Sequence, residues 1–195
     1  MKHFLHIGLG RLYSFSDLIN DGKWFQLDSH LELKSNKKWK LWACDCKHYS
    51  KEELLLIEKS DWIDNFIHKD ICDQWSDVPL FDKWDCTSVM EHVKAEDAEK
   101  FVSSLRTKVS NNSTGFIHVD LSDHSKEGRG KQKFEDNNFA ATYYDKNDAQ
   151  YKMYLNRISG NRWKEYFSEH FIFDIKHDEK TYITFDNVKP KNKDE

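Results

Sequence analysis

One segment, FDKWDCTSVMEHV at residues 81–93, constrains the fold of this chain more than any other. Its residues Trp84, Cys86 and Val89 suit a strand buried on both faces, and the small polar residues Thr87 and Ser88 suit an exposed carboxyl end. A helical period follows at residues 95–109. A buried strand that stops at small polar residues before a helix is typical of open α/β sheets, where ligands bind beyond the carboxyl ends of the strands. We therefore expect a binding site at this point.

The same alternation of strand and helix runs through the rest of the chain. A short apolar run at residues 4–7 meets the glycine turn Gly8-Leu9-Gly10, after which a helical period begins. Ser50 and Glu53 form a capping-box pattern at the start of another helix. The remaining expected elements are strands at residues 39–43, 65–68, 115–121, 171–175 and 181–185, a helix around residues 163–167 and a turn at residues 111–114. This order predicts a mostly parallel sheet with helices on both faces, and the last two strands form an antiparallel hairpin that adds a reversed strand to one edge.

Length and charge limit the classes of protein that the chain can belong to. A length of 195 residues suits a single domain, which we place at residues 1–188 ahead of a charged tail at residues 189–195. The formal net charge is −4 and the lysines alternate with acidic residues, so no nucleic-acid partner is expected. No apolar run approaches the roughly 18 residues that a membrane-spanning helix needs. We therefore expect a cytoplasmic protein without a membrane span.

The four cysteines are expected to be buried free thiols, because cysteines in apolar or strand-like contexts behave as small hydrophobic residues. They are Cys44, Cys46, Cys72 and Cys86. Cys44, Cys46 and His48 offer an alternative metal site, but their Cys-x-Cys-x-His spacing lacks the paired intervals of structural zinc sites. We predict no metal.

In their order and spacing, these elements resemble the class I S-adenosylmethionine-dependent methyltransferase superfamily over about residues 3–188. The motifs that carry the resemblance are HIGLG at residues 6–10, an aspartate ending each of the second and third strands, FDKWDCTSVMEHV at residues 81–93 and GFIHVDLSDH at residues 115–124. Residues 154–175 are also similar to the region after the fifth strand in bacterial members. The resemblance implies a Rossmann-like, doubly wound, mostly parallel seven-stranded sheet with a reversed seventh strand. It also implies S-adenosyl-L-methionine as cofactor and methyl transfer to a small-molecule, sugar or lipid-precursor acceptor.

The resemblance also implies a set of cofactor-binding residues. Glycines of the turn would lie against the methionine and ribose, the aspartate after the second strand would accept the ribose hydroxyls, and the Asp-Ile pair after the third would flank the adenine. Small polar residues after the fourth strand would line the floor near the methyl group. The expected residues are His6, Gly8, Gly10, Asp45, Asp70, Ile71, Thr87 and Ser88.

Two departures from the family pattern leave alternatives open. His6 stands where the family usually has an acidic residue, and the interval from Gly10 to Asp45 is longer than usual, so Asp28 is a rival ribose ligand. A non-catalytic methyltransferase-like protein that binds a nucleoside-like ligand or a partner subunit is therefore the alternative function. A nicotinamide-dependent oxidoreductase is disfavoured, because its glycine motif expects a third glycine where Tyr13 stands.

Methyl transfer to oxygen or nitrogen also needs a group that removes a proton from the acceptor. His124, Asp123 and Asp120 follow the fifth strand and are the expected catalytic residues, with His124 first because its ordinary pKa lies near neutrality. The alternative is that His124 bonds the backbone of the following polar loop, residues 125–138, which we expect to cover the site. Glu91 and His92 are expected to serve the N–H groups at the start of the next helix.

Overall fold

The computed structural model describes residues 1–9, 38–46, 49–60, 63–121, 141–144, 152–156 and 158–192. In chain order the elements are β1 (Lys2–Ile7), β2 (Trp39–Cys44), α1 (Lys51–Glu58), β3 (Asn65–Ile67), β4 (Phe81–Thr87), α2 (Ala98–Lys108), β5 (Val109–Asp120), β6 (Ala141–Tyr144), β7 (Lys152–Leu155), α3 (Gly160–His170), β8 (Phe171–Asp178) and β9 (Tyr182–Pro190). Short 3₁₀ turns at Met90–His92 and Ala95–Asp97 lie between β4 and α2.

The strands form a seven-stranded sheet in the order β3-β2-β1-β4-β5-β9-β8, with a separate two-stranded sheet of β6 and β7. Neighbouring strands from β3 to β5 are parallel, and β9 runs antiparallel to both β5 and β8. The predicted α/β class, seven strands and antiparallel terminal hairpin are confirmed.

The reversed strand lies inside the sheet, and the expectation that it would lie at an edge is wrong. β9 pairs with β5 from Gly115↔Val188 to Asp120↔Tyr182, which leaves β8 as the edge strand. The burial of the two strands explains the arrangement. β9 contributes the fully buried Ile183 and Phe185, whereas β8 is exposed along most of its length. The more apolar strand therefore takes the inner position, where both of its edges are paired.

The main core lies between one face of the sheet and the helices α2 and α3. Trp84 on β4 is fully buried there together with Phe101, Leu105 and Trp163. Trp84 also explains a glycine on the neighbouring strand, because a Cβ atom at Gly115 would lie 2.0 Å from the indole ring. The register of β4 against β5 therefore depends on the large Trp84 side chain lying opposite a glycine, which has no side chain.

The first helix begins as the sequence predicted. The Ser50 hydroxyl accepts a hydrogen bond from the Glu53 N–H, and the Glu53 carboxylate accepts one from the Ser50 N–H, so the capping box is confirmed. On the second face of the sheet, Ile57 of this helix packs with Leu9 and Ala43 in a smaller buried cluster. That cluster supports the ends of β1 and β2.

Several predicted boundaries differ from the structure. The helix predicted at residues 95–109 is a 3₁₀ turn followed by α2, and the predicted turn at residues 111–114 lies within β5. Pairing there jumps from Phe81↔Val109 to Lys83↔Thr114, so the extra residues are absorbed as an irregularity in one long strand. β9 continues to Pro190, two residues into the predicted tail.

Some predictions lie outside the described residues: the helix after Gly10 and the loop at residues 125–138, together with the predicted site residues Gly10, Asp28, Asp123 and His124. Within the described ranges, no helix has the length and apolar character that crossing a membrane requires.

Candidate functional site

The turn after β1 brings two strand ends into close contact. Gly8 has a φ of 86°, and its N–H donates to the Cys44 carbonyl at 2.9 Å. A Cβ atom at this position would lie 2.2 Å from Cγ2 of Val89, which follows β4. Glycine is therefore required both for the backbone conformation and for the close approach. Because Ser88 precedes Val89, the predicted cofactor residues Gly8 and Ser88 lie at the same rim of the sheet.

The carboxylate of Asp45 is fixed beside this turn. Its Oδ2 atom accepts hydrogen bonds from the Leu9 N–H and the Tyr49 hydroxyl, each at 2.8 Å. The Asp45 N–H donates to the Ile67 carbonyl of β3 at 3.1 Å. Burial and the charge of Asp45 raise the pKa of Tyr49, so this hydroxyl remains a proton donor. Tyr49 was not predicted from the sequence, where its place four residues after Asp45 is the only local hint of this contact.

The pair Asp70-Ile71 follows β3, which is the neighbour of β2 in the sheet. The Asp70 carboxylate accepts a hydrogen bond from the Cys72 N–H at 2.8 Å, and the Asp70 carbonyl accepts one from the Trp75 indole at 2.9 Å. Ile71 is 3 % exposed and packs in the main core. Partial desolvation of the thiol, with the charges of Asp70 and Asp45, raises the pKa of Cys46 to about 11. Both aspartates therefore lie near the Cys46 thiol, at one end of the sheet.

The cysteines only partly follow their prediction. Cys44 and Cys86 are buried and Cys72 is half-buried, but Cys46 is exposed, so the prediction of a buried thiol is wrong there. Cys46 lies just past the end of β2, where the chain leaves the sheet. All four thiols are free. In the part of the chain that the structure describes, no three histidine, cysteine, aspartate or glutamate side chains are grouped to hold a metal ion.

His6, beneath the glycine turn, forms a buried ion pair with a residue that the sequence analysis missed. His6 on β1 is in register with Asp85 on β4, and its Nδ1 atom lies 2.7 Å from the Asp85 carboxylate. Burial alone would lower the pKa of His6, but the charge and hydrogen bond of Asp85 outweigh it and raise that pKa above its ordinary value. His6 stands where an acidic residue was expected, and the carboxylate of Asp85 on the neighbouring strand lies beside it.

The ends of β4 and β5 form the other half of the rim. The buried hydroxyl of Thr87 has no hydrogen-bond partner among the described residues. Ser88 has a φ of 53°, and its N–H donates to the His118 carbonyl at 3.0 Å. Asp120 is half-buried at the end of β5, whereas Asp123 and His124 lie outside the described residues. Of the three predicted catalytic residues, only Asp120 can therefore be placed at the rim.

His118 is a second imidazole that the sequence analysis missed. It is in register with Thr87 on β4 and Thr184 on β9, and its Nδ1 atom lies 3.1 Å from the Thr184 hydroxyl. Its ring centroid is 5.3 Å from that of Tyr182. Burial lowers its pKa, which favours the neutral imidazole. A histidine within a strand gave no sequence signal that separated it from core histidines.

The prediction for Glu91 and His92 is wrong. They lie in the 3₁₀ turn Met90–His92, and α2 begins only at Ala98, so they do not serve its N–H groups. Glu91 is 1 % exposed, and hydrogen bonds from the backbone of Glu91 and Asp120 reach its carboxyl group. Burial raises the pKa of Glu91 well above its ordinary range, and the charge of Asp120 adds to the shift.

The geometry defines a doubly wound α/β protein, with the predicted cofactor residues that the structure describes at a rim along the carboxyl ends of β3, β2, β1, β4 and β5. The chain order of these strands reverses on either side of β1, which is the place where open sheets of this class bind their ligands.

Solved methyltransferases share this fold. The Burkholderia thailandensis 1,6-didemethyltoxoflavin-N1-methyltransferase, with bound 1,6-didemethyltoxoflavin and S-adenosylhomocysteine, matches with a TM-score of 0.56 and 12% identity over 97% of this chain and 71% of that chain. An S-adenosylmethionine-dependent methyltransferase from Clostridium acetobutylicum matches with a TM-score of 0.57 and 14% identity over 98% and 85%. A glycopeptide N-methyltransferase complexed with S-adenosylhomocysteine matches with a TM-score of 0.55 and 12% identity over 97% and 84%.

No family model matches the sequence, and no curated protein matches it. At identities of 12% to 14% the likeness to solved structures is one of fold. The chain has the Rossmann-like fold of the class I S-adenosylmethionine-dependent methyltransferases, as the motifs in its sequence predicted.

Proposed function

We propose that the protein is an S-adenosyl-L-methionine-dependent methyltransferase that acts on a small-molecule, sugar or lipid-precursor acceptor. One observation carries the proposal. The Asp45 carboxylate is held by the Leu9 N–H and the Tyr49 hydroxyl directly beside the left-handed Gly8 turn. The Asp45 carboxylate is thus a fixed hydrogen-bond acceptor next to β1, the strand where the strand order reverses.

The residues at the rim fit the parts of an adenosyl ligand. A carboxylate suits the two ribose hydroxyls, because it offers two acceptor oxygens and no donor. Asp45 would therefore hold the ribose, and Asp70, next to it at the end of β3, would accept from the adenine amino group. Gly8 packs against Val89, so the methionine part would lie between the ends of β1 and β4, close to Thr87 and Ser88. His6 and Asp85 support this turn from below.

When bound, S-adenosyl-L-methionine supplies an electrophilic methyl group on a sulfonium sulfur. The chain has to bind and orient the two reactants and to take up the proton that an oxygen or nitrogen acceptor loses. Asp120, Asp123 and His124 are the proposed proton acceptors at the end of β5. His118 is a further candidate, because its lowered pKa leaves it neutral and able to accept a proton.

Structural relatives support a small acceptor. One relative binds 1,6-didemethyltoxoflavin together with S-adenosylhomocysteine, and another methylates a glycopeptide on nitrogen. Both proteins have the fold of this chain at low identity, so they support the class of reaction more strongly than the identity of the acceptor.

The proposal is tested by calorimetric titration of S-adenosyl-L-methionine and S-adenosylhomocysteine into the wild-type protein and two matched variants. Asp45→Asn should weaken binding at least about tenfold, which corresponds to about 1.4 kcal/mol. Asp64→Asn is the control, because Asp64 also accepts a backbone N–H, from Leu41 at 2.7 Å, but lies at the amino end of β3. It should leave the Kd within about twofold.

Two results would contradict the proposal. Absence of binding at about 1 mM ligand would favour a non-catalytic protein of the same fold. Tight binding that Asp45→Asn leaves unchanged would show that the ribose is held elsewhere on the chain.

A further inference from the structure

His6 and Asp85 form a buried charged pair beneath the glycine turn. The two residues are in register on β1 and β4, and 2.7 Å separates the His6 Nδ1 atom from the Asp85 carboxylate. His6 is 9 % exposed and Asp85 is 2 % exposed. A buried ion pair is often no more stabilising than apolar side chains of similar size, because both charges lose their hydration. The stability of the fold alone therefore does not account for a charged pair at this place.

The imidazole of His6 also contacts the turn itself. The backbone of Gly8 forms a hydrogen bond with the ring that favours its protonated form, so the Gly8 carbonyl is the acceptor. A neutral imidazole carries one N–H group, and the protonated ring carries two. Because the Asp85 carboxylate and the Gly8 carbonyl are both acceptors, only the protonated ring gives each of them a separate donor.

The Gly8 carbonyl and the Leu9 N–H belong to one peptide group, and both of its polar ends are held. His6 donates to the carbonyl oxygen, and the N–H donates to Oδ2 of Asp45 at 2.8 Å. A continuous series of hydrogen bonds thus runs from Asp85 on β4 through His6 on β1 to Asp45 after β2.

The charges at the two ends of this peptide have complementary signs. The His6 cation lies at the carbonyl end and the Asp45 anion lies at the N–H end, and hydrogen bonds to ionised groups are about twice as strong as neutral ones. Among the described residues, the titratable groups that act on the His6 ring from the neighbouring strands are Asp85 on β4 and Asp45 at the end of β2, and both favour its protonated form. Rotation of the peptide would therefore break charge-assisted bonds at both of its ends.

We infer that His6 is a positioning residue for the cofactor: in its protonated form it fixes the Gly8-Leu9 peptide and, through that peptide, the Asp45 carboxylate. The inference rests on the proposed function, in which Asp45 holds the ribose. Protonation of His6 and binding of the adenosyl ligand then favour each other, and this coupling is reciprocal. A ligand that binds the protonated form more tightly must also make the ring harder to deprotonate.

The coupling is measured in the wild-type protein by following the His6 ring through a pH titration. The carbon-13 chemical shift of Cε1 reports protonation, with and without saturating S-adenosylhomocysteine, which lacks the sulfonium charge of S-adenosyl-L-methionine. The ligand should raise the midpoint of the His6 titration by at least about half a pH unit, which corresponds to about threefold in affinity. His3, whose Nδ1 atom accepts from the Trp42 indole at 3.1 Å, is the control in the same spectra and should keep its midpoint.

Matched variants separate the positioning role from a role in stability. Asp85→Asn removes the counter-charge of His6 and should weaken S-adenosylhomocysteine binding near neutral pH at least about threefold in calorimetry. Asp82→Asn is the control, because Asp82 also accepts a bond from β1, from the His3 N–H at 2.8 Å, but lies at the amino end of β4. It should leave the Kd within about twofold. His6→Gln keeps a neutral donor and should flatten the dependence of the Kd on pH.

The positioning role and the proposed function fail in different ways. A His6 midpoint that bound S-adenosylhomocysteine leaves unchanged, or equal losses of affinity in Asp82→Asn and Asp85→Asn, would overturn the positioning role. In the free protein the Leu9 amide shift should follow the His6 titration, and an amide that does not follow it would overturn the role as well. Failure of the wild-type protein to bind S-adenosylhomocysteine would count against the proposed function alone, because the Leu9 amide is read without ligand.

Discussion

The two halves of the rim treat their polar groups in opposite ways. Beside β1 and β2, Asp45 is bonded to the Leu9 N–H and the Tyr49 hydroxyl. Beside β4 and β5, the buried hydroxyl of Thr87 has no hydrogen-bond partner among the described residues. Buried polar groups are normally paired, so the first half satisfies its own polar atoms and the second leaves one of them open.

The difference indicates where the protein has traded stability for binding. The Asp45 half gains hydrogen bonds on folding, and a nucleoside could bind there without rearrangement of the groups that hold the carboxylate. The half beside β4 leaves the buried Thr87 hydroxyl without a partner among the described residues, at a cost in stability. Glu91 follows in the chain, and burial raises the pKa of its carboxyl group; groups with strongly perturbed pKa values are candidates for function.

The largest expected effect comes from removing the conformational freedom of the glycine turn. Gly8→Ala places a Cβ atom 2.2 Å from Cγ2 of Val89 at a φ of 86°, so one of the two strand ends must move. We expect S-adenosylhomocysteine affinity to fall by about 100-fold in calorimetry, together with a lower melting temperature.

The double variant Gly8→Ala/Val89→Ala sharpens this test. It removes the clash but keeps the strained φ, so it should recover part of the lost affinity. Full affinity in the single variant Gly8→Ala would show that ligand binding does not require the left-handed Gly8 turn and its close contact with Val89.

The buried pair beneath the turn should give the next largest effect. Asp85→Asn leaves the protonated His6 without its counter-charge and should lower the free energy of unfolding by about 3 kcal/mol in urea titration. Because the pKa of His6 is raised on folding, the pair stabilises fully below the ordinary value of 6.5 and loses that contribution as pH rises through the raised value. The gap between wild type and variant should therefore shrink at alkaline pH, and a gap that widens would contradict the ion pair.

The contribution of Glu91 to stability should also fall as pH rises. Its pKa is raised on folding, so the folded protein holds the proton more tightly than the unfolded chain, and stability falls as pH rises above the ordinary value of 4.5. Glu91→Gln removes this loss and should raise the free energy of unfolding near pH 8 by about 1 kcal/mol, with little change at pH 4. A variant that is destabilised at pH 8 would show that the backbone hydrogen bonds to the Glu91 carboxylate outweigh the cost of burying its charge.

The smallest effect is expected from the bond between Tyr49 and Asp45. Tyr49→Phe removes one hydrogen bond and should cost about 1 kcal/mol in the free energy of unfolding. S-adenosylhomocysteine affinity should fall by no more than about fivefold, because the Leu9 N–H still holds the carboxylate. A loss as large as that of Asp45→Asn would place Tyr49 itself against the ligand.

Local sequence patterns predicted most of the sheet. The capping box at Ser50, the glycine turn at Gly8 and the strand beginning at Phe81 depend on residues close together in the chain, and each lies where the pattern placed it. The inner position of β9 was not predictable in this way. A period of two residues identifies a buried strand but says nothing about which neighbour it pairs with.

The side chains that distinguish this site are also non-local. His6 and Asp85 are separated by 79 positions and meet only because β1 and β4 are adjacent in register. The turn that carries Glu91 is bonded to Asn156, which follows β7 and lies 66 positions from Met90 in the chain. Motif and spacing place such residues on their elements, whereas their partners follow only from the packed structure.

Amide chemical shifts test most directly whether the carboxyl rim of β1, β2 and β4 binds an adenosyl ligand. They are followed during titration with S-adenosylhomocysteine. The account predicts saturable changes at Gly8, Leu9, Asp45 and Ser88, and none along the exposed edge strand β8. Unchanged amides at Gly8 and Leu9, or changes confined to β8 and β9, would contradict it.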